Sequence, residues 1–256
     1  MSGDKRNNVQ REIETILDSG DVNKLKEYAK KQMANPEQIK KFIEVSRDSS
    51  YQSYLLMRSK LVNDGDFNIF LCALELEYQA MVKDFSSFHH IIEEQFLEGS
   101  IESVQEIRKY SSLNNLSFNE DHFTLKKIYT NIIELIKNDI DGYLKLVDLI
   151  DPSIKNMTGM KYKLLLEYEN GKYECLLLKK DELFIRNCII HNGFAKHKEN
   201  LFHLVDKETL VEKYLTGDEL NSIFKQIWSK WAMMQMAGGL MISLAYQFEL
   251  IKHFKE

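Results

Sequence analysis

Proline is nearly missing from this 256-residue sequence, which has two, Pro36 and Pro152, alongside only 11 glycines. So few turn breakers exclude an all-β sandwich and predict a mostly α chain. Three cysteines, Cys72, Cys175 and Cys188, are too few and too scattered for a disulfide framework or a zinc knuckle. There is no excess of basic charge: 34 Lys and Arg stand against 39 Asp and Glu, a formal −5, so nothing in the whole chain advertises nucleic-acid binding. The first residues, MSGDKRNNVQREIETI, lack the apolar run of a signal peptide, and a reducing cytoplasm is the expected location. What is present is a core: 44% hydrophobic residues exclude disorder along most of the length.

The first 50 residues read as a helical extension. Ile13, Ile16 and Leu17, then Leu25, Tyr28 and Ala29, sit at helical spacing, and a further helix is predicted after Asn35-Pro36. Residues 24–41 hold six lysines and two glutamates, which reads as a solvated face. Phe67, Phe70, Leu71, Leu74, Tyr78, Met81 and Phe85 step in threes and fours, as do Leu125, Ile128, Ile132, Leu135, Ile136 and Ile140. Asp151-Pro152 ends the second pattern. Around Asn170-Gly171 the period changes, and a small β-hairpin over about 161–179 is predicted. Asp181 then caps a short helix over 182–192, with Gly193 as its left-handed C-terminal cap.

The last helix starts at Thr216-Gly-Asp-Glu219, a capping-box spacing. Its residues 231–248 carry no charge. Gln235, Gln247 and the pair Gly238-Gly239 favour a buried core or dimer helix over a membrane span.

Chemistry concentrates at Phe184-Ile-Arg186-Asn187-Cys-Ile-Ile-His191-Asn192-Gly193. Arginine offers a planar donor fork for phosphate oxygens, and histidine exchanges protons near neutrality. In RNA the 2′-hydroxyl supplies the nucleophile, so a base, an acid and a charge clamp suffice and no cofactor or metal is expected. Five residues apart, Arg186 and His191 are separated by about 140° around a helix, whereas Asn187 and His191 share a face. Over 179–198, Lys179, Lys180, Arg186, Lys196 and Lys198 outweigh Asp181 and Glu182, five against two, a local +3 that suits phosphate.

The wording Arg-Asn-x-Ile-Ile-His-Asn-Gly on a short capped helix resembles the signature of the HEPN family, the higher eukaryote and prokaryote nucleotide-binding domains. That resemblance implies a helical bundle over 51–256 that dimerises to pair two motifs in one cleft. It also implies a metal-independent endoribonuclease of toxin–antitoxin, abortive-infection or other antiviral-defence type, with RNA as substrate and an antitoxin or regulator as partner. His191 would be the acid/base, Arg186 the phosphate clamp and Asn187 a positioning group. Glu75 or Glu77 would be the extra acidic residue of some members, and Lys179, Lys180, Lys196 and Lys198 would contact RNA. Other members are non-catalytic, so a helical binding or scaffold protein is the alternative. A membrane-associated protein using 231–248 is a third reading.

Overall fold

The computed structural model describes residues 64–92, 117–152 and 168–255, with isolated positions between 11 and 28. The domain boundary expected at residue 50 and the helix after Pro36 lie outside the described residues. Three long or medium helices form the centre: α1 (Asp64–Lys83), α3 (Phe118–Ile150) and α5 (Gly217–Lys255), with α2 (Phe85–Ile92) following α1 after Asp84. Their sequences explain their association. Phe70, Leu74 and Tyr78 of α1, Ile132, Ile136 and Tyr143 of α3, and Trp231, Met234 and Leu244 of α5 are all buried. At roughly 25 cal/mol per Å² of apolar surface, each such side chain contributes about 1.5–3 kcal/mol, which makes this seam the main source of stability.

Residues 231–239 are buried without interruption, and Met233, Met234 and Met236 are packing material in α5. Among the described residues no helix is long and apolar enough to cross a membrane. The ends expected for α5 and α3 are present. Thr216 N–H donates to Glu219 Oε2 at 2.7 Å and Glu219 N–H donates to Thr216 Oγ1 at 3.2 Å, closing the box at the start of α5. α3 ends at Ile150, before Asp151-Pro152.

The sheet is not where Asn170-Gly171 placed it. Of the hairpin expected over 161–179, the first arm through residue 167 lies outside the described residues, and the second arm is not a strand. Asn170-Gly171 does turn the chain, with φ of 48° at Glu169, 60° at Asn170 and 79° at Gly171. It then enters a single 3-10 turn, Glu174–Leu176. The reason lies in the buried positions: Tyr173, Leu176 and Leu177 are three and four apart, a helical-turn spacing rather than an alternating one.

The strands come later: β1 (Phe194–Lys198), β2 (Leu201–Asp206) and β3 (Val211–Thr216), antiparallel in the order β1-β2-β3. Along β2, Phe202, Leu204 and Asp206 are buried and alternate with half-buried neighbours. Phe202 and Phe194 pack with Phe118 of α3, with ring centroids 6.3 and 6.0 Å away, and Phe224 of α5 lies 6.2 Å from Phe118. This aromatic cluster fastens the sheet to the helices.

Candidate functional site

The motif lies on α4 (Lys180–Ile190), a helix of 11 residues packed on α3 and β2. It begins two residues before the expected start, and Asp181 is not its cap. Asp181 is exposed in the first turn and pairs with Lys213 of β3 at 2.7 Å. The capping group is Glu182, whose Oε2 accepts the Lys179 backbone N–H at 2.7 Å.

At the other end the chain closes in a Schellman motif. His191 is the C-cap, Asn192 takes the left-handed conformation with φ 54°, and Gly193 N–H donates to Cys188 O at 2.7 Å. Gly193 therefore does not provide the positive φ expected of it. Its role is close approach: a Cβ there would fall 1.8 Å from the Val205 carbonyl oxygen, and Val205 N–H donates to Gly193 O at 2.7 Å.

Between these ends Arg186 turns toward α3. Its Nε donates to Glu134 Oε1 at 2.9 Å, with Nη2 2.7 Å from the same oxygen, and Nη1 donates to Asn187 Oδ1 at 3.2 Å. Burial pushes the Glu134 carboxyl up. The hydrogen bonds from Arg186 and Lys137 outweigh that and hold it below the ordinary carboxylate range. The Asn187 side chain also hydrogen-bonds the Asp206 carboxylate, which is held low first by the Glu208 backbone N–H and further by Thr209 and Asn187.

His191 is held by a different acid: its Nε2 lies 3.2 Å from Glu208 Oε1, in the turn between β2 and β3, and both side chains are substantially exposed. Arg186 and Asn187 are thus joined directly, while His191 pairs with Glu208. Comparison with protein-family models, curated proteins and solved structures returns no match.

The acidic residue that meets Arg186 is Glu134, neither Glu75 nor Glu77. Glu75 pairs with Lys172, and Glu77 is buried against the Tyr143 hydroxyl at 3.2 Å. No local sequence pattern links Glu134, Glu208 and Asp206 to the motif, because they lie 52, 17 and 19 residues from Arg186, His191 and Asn187. The four lysines expected to contact RNA divide between two places. Lys179 and Lys180 stand at the N-terminal end of α4, about 15 Å along the axis from Ile190. Lys196 and Lys198 are exposed on β1, and Lys196 Nζ donates to Asn119 O at 3.3 Å. The linear +3 stretch is therefore not one patch. Near β1 a second basic group forms from His122, Lys126 and Lys196. Burial and the two ammonium groups push the His122 imidazole down. Among the described residues no group of three or more His, Cys, Asp or Glu could hold a metal ion.

Proposed function

We propose that the chain is a metal-independent endoribonuclease of HEPN type, acting in toxin or antiviral defence, with a composite site formed by two copies. The observation that carries this reading is the condition of the motif. The acids that engage Arg186 and His191 are partly exposed carboxylates, Glu134 and Glu208, and Arg186 also donates to Asn187. Pairs of that kind are worth at most about 1 kcal/mol, so a phosphate, which is matched to the same guanidinium fork, competes with them.

In the proposed reaction a histidine base takes the 2′-hydroxyl proton and the 2′-oxygen attacks phosphorus. The 5′-oxygen leaves with a proton from a histidine acid, giving a 2′,3′-cyclic phosphate and a 5′-hydroxyl end. Arg186 balances the charge gained by the phosphorane, and Asn187 holds the guanidinium orientation. One His191 cannot be base and acid at once, and a second copy supplies the other. Exposed Ile190 precedes His191, and exposed Leu210 and Val211 follow Glu208, giving the site an apolar flank for that contact.

The test is cleavage of RNA in EDTA by wild type, His191→Ala and Arg186→Ala. Loss of 10²–10⁴-fold in both variants is expected. Equal cleavage by all three, or none by any, overturns the proposal. The second reading, a non-catalytic helical binding protein, is favoured by the two contacts Glu134 already makes with Arg186. It predicts RNA or protein binding without turnover.

A further inference from the structure

A cavity of about 1090 Å³ opens at the first turn of α4, at the end of that helix remote from His191. Its size is that of a small-molecule site, and its lining is unusual for this acidic chain. Lys172, Lys179, Lys180 and Lys230 line it against Glu174 and Glu182, four cations to two anions, while Ile69, Leu177 and Leu183 supply apolar wall.

Two charges are deep. Lys230 is 4% exposed, with Nζ donating to Leu177 O at 2.5 Å and to Glu182 Oε2 at 3.2 Å. Glu182 is 2% exposed, and its second oxygen, Oε1, has no hydrogen-bond partner. A buried carboxylate oxygen left unpaired has lost its water without a replacement, and a donor entering the cavity would relieve it. The other oxygen, Oε2, is fixed by the Lys179 backbone N–H and the Lys230 ammonium. At the rim, neither Lys179 nor Lys180 pairs with an acid among the described residues, and the Lys172 ammonium is already held by Glu75 and Glu169. Burial pushes the Lys230 ammonium down, Glu182 raises it again, and the positive field of Lys179 adds to the lowering. An anion near Lys179 and Lys230 would remove that repulsion.

We infer that this cavity binds a small organic phosphate whose other end carries an N–H or O–H donor, the phosphate resting on Lys179 and Lys180 and the donor reaching Glu182. Inorganic phosphate lacks the second feature, and the unphosphorylated parent lacks the first, so both bind more weakly than the intact ligand. The inference does not depend on ribonuclease activity, because binding is read without RNA.

The experiment is calorimetric titration of the full chain with adenosine 5′-monophosphate, uridine 5′-monophosphate and glucose 6-phosphate. Inorganic phosphate, adenosine, uridine and glucose are the controls. At least one organic phosphate should bind tenfold or more tightly than both its parent and inorganic phosphate. Lys179→Glu combined with Lys180→Glu, two exposed positions, should weaken that binding at least tenfold. Leu178→Trp, which fills the lining, should abolish it. A thermal melt of each variant separates lost binding from lost folding. The inference is overturned if no organic phosphate exceeds inorganic phosphate, or if binding persists unchanged in folded charge-reversed and cavity-filled variants.

Discussion

Replacing Asp139 with asparagine should make the protein more stable at neutral pH, by an amount that grows with pH. Asp139 lies in the seam between α1, α3 and α5, 1% exposed, and receives the Gln235 amide at 3.2 and 3.0 Å on its two oxygens. Burial drives its carboxyl from the ordinary 3.8 up to about 8, only partly opposed by the Gln235 hydrogen bond. The folded protein therefore holds this proton up to about pH 8, while the unfolded chain releases it near pH 4.

Between those values the folded state binds more protons, and stability falls as pH rises, by at most about 1.4 kcal/mol per unit. The contribution is whole below pH 4, declines through neutrality and is flat above pH 8. At pH 7 the gap of about three units corresponds to about 4 kcal/mol. Asparagine keeps a carbonyl for Gln235 and never ionises. Glu77, pushed up by burial and by the charge of Asp139, gains from the substitution only above about pH 8, where Asp139 would otherwise be ionised. Urea unfolding at pH 4.5, 6, 7 and 8.5 should give a difference between Asp139→Asn and wild type of about 1 kcal/mol or less at the lowest pH and roughly 2–4 kcal/mol at pH 7, with a plateau above pH 8. A difference that does not vary with pH, or a variant less stable at pH 7, refutes the reasoning.

Three further substitutions test the framework of the site. Gly193→Ala should destabilise by about 2 kcal/mol or more, seen as a lower melting temperature, because the new methyl meets backbone that cannot move aside as a side chain could. Lys230→Met should cost about 3 kcal/mol in chemical denaturation by leaving Glu182 charged and unpaired, and Glu182→Gln in the same chain should recover part of the loss. Thr216→Ala should cost about 1 kcal/mol by opening the box at the start of α5, with no effect on the region around Arg186 measured by amide exchange.

The helices were legible because their signals are local. Repeats of three and four at Phe70, Leu74 and Tyr78, the reciprocal bonds of Thr216 and Glu219, and the stop at Asp151-Pro152 all act within a few residues. The strands were not legible, because their turns use unremarkable residues. Glu199-Asn200 joins β1 to β2, and the β2–β3 turn ends on Leu210 in a left-handed conformation with φ 58°. Asn170-Gly171 made a true turn, yet the residues beyond it bury a helical-turn face. Leu201–Asp206 does alternate, in a run too short to stand out beside a stronger hairpin signal. At the site, sequence reasoning found Arg186, Asn187 and His191 through their adjacency. Their carboxylate partners come from α3 and the β2–β3 turn, which only the tertiary fold brings near. Adding up charge along residues 179–198 does not describe one surface, since Lys179 and Lys180 stand at the start of α4 and Lys196 and Lys198 on β1 beyond its end.

The hydrogen bond between Gly193 and Val205 makes the sheet a ruler for the position of His191. A slip of β2 by one residue pair would carry the end of α4 with it and invert which β2 side chains face the core. The irregularity between β1 and β2 falls between Lys196 and Lys198, on the turn side of the Phe194–Leu204 pair. A change of length at Glu199-Asn200 would meet that irregularity before the helix end, and would also strain the bonds that Gly217 N–H donates to Asn200 at the start of α5. The irregularity thus lies three to five residues beyond Gly193, the position where a single methyl group is not tolerated.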